Sequence, residues 1–327
     1  MKKMNALTSL SRRVLYAMLA AQRFPWEQGV AAQAAYECGL DEIWLPMAHD
    51  TVRRALPDGR LAMAGTDIPS ADPAAAGEVC LRAWQKTGDL YFRAGADGML
   101  EYLLHRAPRT ADGLICHNTV SFHDGFSSRQ LWVDALYMVP PFLAVMGEFD
   151  EANRQINGYI RHLLDPEKML FRHIYDAGEG CFVRDVFWAT GNGWALMGLC
   201  RVACEAADRS RHDISVPLFD LLRRLISAMS AYQEEDGRFR DILGDPSSFP
   251  ESTSGLMFAY TVYRCVRRGE LDPSFRDTAD RAVRAAEEHI DGMGVLREVC
   301  GCPDFLRPGT SVEAQAAYLL AVSQRDG

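Results

Sequence analysis

The sequence predicts an all-α fold, an (α/α)6 barrel formed as one domain over residues 1–327, on three observations. Helical hydrophobic periodicity dominates the chain, and strand-like alternation is confined to short pieces. Twelve helical segments are readable, and amphipathic and all-apolar members roughly alternate, as outer and inner helices would. A turn followed by a short extended piece recurs five times, each time ahead of an apolar helix. Helix-pair repeats stack into open solenoids or close into rings, and six pairs is the number that closes an (α/α)6 toroid.

The helices are expected near 6–23, 26–38, 41–55, 72–87, 89–106, 128–146, 148–164, 190–207, 214–235, 251–268, 272–290 and 309–325. The segments Leu131 to Val145, Trp194 to Cys204 and Leu256 to Val266 are apolar almost all round, which places them inside. The segment after Asp272-Pro273 is a surface helix. Asp272 can cap it, Pro273 suits its first turn, and Phe275, Ala279, Ala282, Val283, Ala286 and Ile290 recur at helical spacing opposite a charged face. The recurring extended pieces begin at Gly59-Arg60-Leu61, Gly113-Leu114-Ile115, Met169-Leu170-Phe171, Gly237-Arg238-Phe239 and Gly294-Val295-Leu296. The steps between them, 54, 56, 68 and 57 residues, each fit two helices with their connections. The helix at 26–38 supplies the sixth unit, and no Pro/Gly/Ser-rich linker divides the chain.

Composition narrows the function. Apolar residues make up 48% of the chain and charged residues 24%, which is the composition of an ordinary folded protein. Forty-four acidic against thirty-five basic residues give a net charge of −9, with no Lys/Arg cluster. Nucleic acid and anionic membrane are therefore not expected as partners, and any anion must be held in a local pocket. No stretch reaches the roughly 18 apolar residues of a membrane helix, and Arg12 and Arg13 interrupt what could otherwise be a secretory leader. The nine cysteines are scattered, mostly in apolar runs, and form no paired C-x-x-C pattern. They read as reduced core thiols of a cytoplasmic protein.

In a closed ring the loops entering the inner helices converge on one face, and those loops carry the chemistry-bearing residues. They hold Trp26, Asp72, His123, Trp132 with Asp134, His173, and Trp188-Ala189-Thr190-Gly191-Asn192-Gly193-Trp194. Aromatic platforms beside carboxylates and amides suit a sugar, whose ring faces stack on Trp and whose hydroxyls need fixed polar partners. Asp134 is the most informative of these. Burial among Leu131, Trp132, Leu136, Tyr137 and Met138 raises a carboxyl pKa, which permits proton donation and return near neutral pH. The competing reading for Asp134 and for Asp72, which precedes Pro73, is a helix-capping carboxylate. His123 and His173 read equally as site residues or as satisfied core groups. Thr310 with Glu313 fits a structural capping box.

No nucleophile elbow, phosphate-binding loop, dinucleotide fingerprint or H-E-x-x-H pair is present, and no cluster has metal-ligand spacing. A site without metal or cofactor is expected.

At these residues the chain resembles the unsaturated uronyl hydrolases of glycoside hydrolase families 88 and 105. The resemblance runs from about Trp26 to the end. It is most specific in Trp132-Val133-Asp134-Ala135-Leu136-Tyr137-Met138, and in His173 followed by Trp188-Ala189-Thr190-Gly191-Asn192-Gly193-Trp194. It implies a six-hairpin barrel and a substrate oligosaccharide bearing a 4,5-unsaturated uronic acid at its non-reducing end. It further implies that Asp134 is the general acid and base. Protonation at C4 and addition of water at C5 would give a hemiketal that opens and releases the neighbouring sugar. Asp72, His123, His173, Trp188 and Trp194 match family active-site positions. Thr190 departs from the pattern, because the rhamnogalacturonan-type enzymes commonly have Arg there, and Thr cannot replace a bidentate cation. Arg129, Arg172 and Arg184 are the candidate substitutes. The other enzyme readings are an exo-glycosidase on a saturated uronide or rhamnoside, using Asp134 and Asp72 as a pair, and a sugar epimerase. The non-enzyme reading is a helical-repeat scaffold. The sequence names neither the polysaccharide, the linkage nor the oligomeric state.

Overall fold

In the computed structural model, which describes residues 7–22, 24–121, 127–301 and 306–325, the helices run in pairs. In chain order they are α1 (Ser9–Ala21) and α2 (Pro25–Glu37), α3 (Asp41–Arg53) and α4 (Gly77–Thr87), α5 (Leu90–His105) and α6 (Ala135–Met146). Then come α7 (Phe149–Leu163) and α8 (Ala189–Asp208), α9 (His212–Ser230) and α10 (Thr253–Arg267), and α11 (Phe275–Glu288) and α12 (Val312–Arg325). The even-numbered helices form the inner ring: α2 packs on α4, α4 on α6, α6 on α8, α8 on α10, α10 on α12, and α12 returns to α2. Each odd-numbered helix covers the outside. The apolar pattern drives this division. In α6 every residue from Ala135 to Val145 is buried, whereas α7 and α11 bury one stripe and expose charge on the other. The ring is tight: a Cβ on Gly198 of α8 would lie 2.1 Å from the Leu136 carbonyl oxygen of α6, so only glycine permits this approach.

The recurring extended pieces share one backbone device. Gly59, Gly113, Gly237 and Gly294 all have φ between 87° and 101°, the left-handed region that glycine enters without steric cost. The equivalent Met169 adopts φ 52°. The turn is what the repeat conserves.

Among the described residues, nine short strands lie in the loops. The largest sheet joins β1 (Gln130–Trp132), β4 (Ile174–Asp176) and β5 (Cys181–Arg184), all antiparallel, with Gln130 opposite Asp176 and Trp132 opposite Ile174. The helix expected at 128–146 therefore begins only at Ala135, because residues 130–132 pair with a segment more than forty residues away. The helix expected from residue 72 opens as a 3-10 turn, Asp72–Ala76, and continues as α4. The helix expected to reach 235 stops at Ser230, where the chain turns toward Gly237. Among the described residues, no helix is long and apolar enough to cross a membrane. The eight described cysteines are free thiols, and all but Cys38 and Cys181 are buried.

Candidate active site

The first turns of the inner helices meet at one end of the ring around a cavity of about 390 Å³. Trp26 lines it from the start of α2, Asp72 from the 3-10 turn, Asp134 from the residue before α6, Trp188 from the residue before α8, Trp194 from α8 itself, and Glu313 from α12. His117, Trp132 and His173 complete its polar and aromatic wall.

An imidazole stands between the two aspartates. His117 Nδ1 is 3.7 Å from Asp134 Oδ2, and its Nε2 is 3.8 Å from Asp72 Oδ1. Both distances are within electrostatic reach and beyond a hydrogen bond. Asp72 Oδ1, Asp134 Oδ1 and His117 Nδ1 are accordingly buried without a hydrogen-bond partner. Asp134 is 8% exposed and Asp72 5%. Burial pushes the Asp72 carboxyl up to about 6, with charge on His117 opposing and Asp134 adding to the rise. Burial likewise raises Asp134, against the pull of His117. Two buried carboxyls whose pKa values are raised by burial, facing a cavity, are equipped for acid–base work.

The imidazole is itself fixed. Its ring stacks on Trp132 at 4.3 Å with 2° between planes, and the Trp132 indole is held by Nε1–H donation to Gln130 at 3.1 Å. Trp132 in turn meets the His173 ring edge-on at 5.8 Å, and His173 stacks on Trp188 at 4.3 Å. Arg184 donates to His173 Nδ1 at 2.6 Å, which puts the ring proton on Nε2. Burial, and then the neighbouring guanidinium, hold the His173 pKa well below its ordinary value. His173 is thus a neutral ring whose unpartnered Nε2–H is a fixed donor at the cavity. Trp188 is anchored by Nε1–H donation to Asp241 at 3.1 Å, Trp194 leans on Tyr137 at 4.6 Å, and Trp26 stacks on Phe24 at 4.5 Å.

The structure sorts the residues singled out from sequence. Asp72, Asp134, Trp26, His173, Trp188 and Trp194 share the cavity. His123 lies outside the described residues. Asn192 is in the motif but not in the wall: its amide donates to the Phe171 and Trp188 carbonyls and accepts from the Phe171 N–H, clamping α8 to β3 (Leu170–Phe171). Thr190 is buried in the first turn of α8 and does not line the cavity. Arg129 is half exposed and pairs with Glu179 at 2.7 Å, and Arg172 pairs with Asp165 at 2.9 Å, so neither reaches the cavity. Arg184 touches the site only through His173 and Asp241.

Two residues were missed. His117 follows the extended piece Gly113-Leu114-Ile115, and the rule that entry loops carry the site would have found it. Glu313 was assigned to a capping box with Thr310, but Ser311 Oγ accepts the cap bond, from the Ala314 N–H at 3.2 Å. The Glu313 carboxyl lies at the cavity instead. The trio Asp72, His117 and Asp134 offers ligand atoms within 4.8 Å of one another, a donor set compatible with a cation.

Comparison with known proteins accords with this geometry. Residues 1–306 match the family described as Glycosyl Hydrolase Family 88. The unsaturated rhamnogalacturonyl hydrolase YesR of Bacillus subtilis (strain 168) is 28% identical over 246 residues, covering 72% of this chain and 68% of that protein. An unsaturated 3S-rhamnoglycuronyl hydrolase of Formosa agariphila is 22% identical over 198 residues, 53% of this chain and 51% of that one. Among solved structures, a possible member of the GH105 family from Klebsiella pneumoniae superposes with TM-score 0.81 at 20% identity, covering 97% of this chain and 92% of its own. The unsaturated glucuronyl hydrolase of Bacillus sp. GL1 superposes with TM-score 0.65 at 18% identity, covering 90% and 83%. At such identities the superpositions speak for the six-hairpin fold, while the family match spans nearly the whole sequence. The chain belongs to Glycosyl Hydrolase Family 88 and is a glycoside hydrolase.

Proposed function

We propose that this hydrolase, with the whole chain as one catalytic domain, removes a 4,5-unsaturated uronic acid from the non-reducing end of lyase-generated oligosaccharides. The observation that carries the reading is the pair of buried carboxyls, raised in pKa, on either side of His117 at the wall of an aromatic cavity. Such a sugar is a vinyl ether, so its activation needs a proton at carbon rather than a nucleophile at the anomeric centre. Asp134 donates its proton to C4, and the electron pair of the C4=C5 bond forms the new C–H bond. Water adds at C5 and returns a proton to the Asp134 carboxylate. The C5 hemiketal then opens and releases the neighbouring sugar. Asp72, across the imidazole, orients the water, and Trp26, Trp188 and Trp194 supply faces for the rings.

The exo-glycosidase alternative has less support in its inverting form, and a retaining form, with carboxylates about 5–5.5 Å apart, is decided by the substrate panel below. Inverting enzymes hold their carboxylates about 6.5–9.5 Å apart to admit a water. Here Asp72 and Asp134 present oxygens within 4.8 Å of each other. The test is a panel of lyase-generated disaccharides followed by loss of absorbance of the conjugated double bond. Turnover of unsaturated but not saturated uronides is expected. Release of sugar from saturated uronides alone would overturn the proposal.

A further inference from the structure

A uronate carries a negative charge into the cavity, yet among the described lining residues there is no Arg and no Lys. The nearby arginines are committed: Arg184 to His173 and Asp241, Arg129 to Glu179, and Arg172 to Asp165. The first turn of α12 places Glu313 in the wall, 4% exposed, with Oε2 buried and unpartnered.

We propose that Glu313, carrying its proton, receives the carboxylate of the terminal sugar, so that the substrate is held by a shared proton between two carboxyl groups instead of by an arginine. The inference rests on the function proposed above and names how that site recognises its anion. A hydrogen bond from a carboxylic acid to a carboxylate is short and charge-assisted, about twice as strong as a neutral one. The surroundings keep the proton on Glu313. Burial is the main cause; hydrogen bonds from its own backbone N–H and from Ser311 oppose it, Glu27 of α2 and Glu251, in β7 (Pro250–Glu251), add negative charge, and the Glu313 carboxyl rises to about 8. The buried Cys300 thiol, in β8 (Val299–Cys300), also faces this cluster, and its own pKa is raised. No cation opposes these groups among the described contributors to Glu313. A carboxylate arriving from the substrate acts in the same direction and fixes the proton further. His173 Nε2–H and the unpartnered Asn118 Nδ2 are further neutral donors at the cavity.

The test is calorimetric titration of the full-length protein with galacturonate, and with its methyl ester, in buffers of different ionisation enthalpy. At pH 9, above the titration of Glu313, galacturonate binding should take up about one proton, and its affinity should fall about tenfold per pH unit beyond 8. The ester should bind without proton uptake. Glu313→Gln keeps a neutral donor in the same shape. It should bind galacturonate at pH 7 nearly as well as the parent, take up no proton and lose the alkaline dependence. Failure of galacturonate to bind, binding without proton uptake, or the same alkaline fall in Glu313→Gln would each overturn the inference. With an unsaturated disaccharide, the parent KM should rise above pH 8 while kcat holds, and Glu313→Gln should flatten that rise. If no unsaturated disaccharide is turned over but Glu313-dependent proton uptake persists, the proposed reaction fails and the carboxylate site stands. If turnover is present and KM is indifferent to Glu313→Gln across pH, the reverse holds.

Discussion

The two ends of the barrel treat buried charge in opposite ways. Among the C-terminal halves of α2, α8, α10 and α12, Arg201 reaches Glu37 at 2.7 Å and Tyr260 at 3.0 Å and bonds Glu78 from the first turn of α4, while Arg264 and Gln324 close on Tyr260 and Glu37. None of Glu37, Glu78, Arg201 or Arg264 has an unpartnered buried atom. Burial alone would raise the Glu78 carboxyl, but Arg201 and Arg82 outweigh it and bring the pKa below its ordinary value. Arg264, in the last turn of α10, also sits favourably in that helix's dipole. At the N-terminal ends, Asp72, Asp134, His117 and Glu313 all carry unpartnered buried atoms, and their carboxyl pKa values move up. One end is neutralised from within and holds the ring together. The other leaves polar groups unsatisfied where a ligand would meet them, which costs stability and provides reactivity.

The sharpest way to break this contrast is Asp134→Asn. The amide is nearly isosteric, so the fold should persist, with melting temperature unchanged or raised. Turnover should fall by about 10³–10⁴-fold, the upper range for one group acting as both acid and base. Thermal melting and rate measured on the same preparation decide it. A normal rate with a lowered melting temperature would make Asp134 a helix cap and nothing more.

Arg201→Ala should show the reverse pattern. It leaves Glu37 and Glu78 buried without their shared cation, and removing one partner of a buried pair costs about 3–5 kcal/mol. Urea denaturation should show that loss, while turnover per folded molecule stays at the parent value. Loss of turnover in fully folded protein would mean the two ends are coupled.

Much of this division was legible in the sequence, and the exceptions have a common cause. The alternation of all-apolar and amphipathic helices is a local pattern, so the ring could be read from segments such as Trp194 to Cys204. The entry loops followed from the repeat, and with them Asp72, Asp134, His173 and the tryptophans. What failed depended on pairing across the chain. Residues 130–132 became strand through partners at 174–176. Asn192 looked like a ligand-binding amide because the backbone of Phe171, which uses it up, is twenty-one residues away. Glu313 looked like a cap because its neighbours Glu27 and Glu251 come from other hairpins. The charge network around Arg201 was not anticipated, since its members are spread from residue 37 to residue 324.

Asp72 tests whether the unsatisfied end costs stability. Its carboxyl is raised from 3.8 to about 6 in the fold, so the folded state resists its ionisation. The associated stability is fully present below the unfolded value and is lost as pH rises through about 6, a difference on the order of 3 kcal/mol. Asp72→Asn removes the ionisation. It should therefore match the parent in stability near pH 3 and exceed it at pH 8, by up to about that amount, in paired denaturation curves. A variant less stable than the parent at pH 8 would show that Asp72 is a supporting cap rather than a group held against its own preference.

The smallest effect is expected at Arg129, and it is informative for that reason. From sequence Arg129 was a candidate to hold the substrate carboxylate in place of the arginine that Thr190 lacks. The side chain is 53% exposed and bonds Glu179, itself 65% exposed, at 2.7 Å. It also lies 3.8 Å from Asp176, whose carboxylate already accepts from the Gly178 and Glu179 N–H groups and from Ser127. Exposed pairs of this kind contribute about 0–1 kcal/mol. Arg129→Ala should therefore leave stability within about 0.5 kcal/mol of the parent and KM for an unsaturated disaccharide unchanged. Thr190→Arg is the complementary variant: a guanidinium forced into the buried first turn of α8 should lower stability without improving KM. A tenfold rise in KM for Arg129→Ala would bring a surface cation into the binding site. It would also remove the reason for giving the substrate carboxylate to Glu313, because the charge would then be met at the mouth of the cavity by an ordinary ion pair.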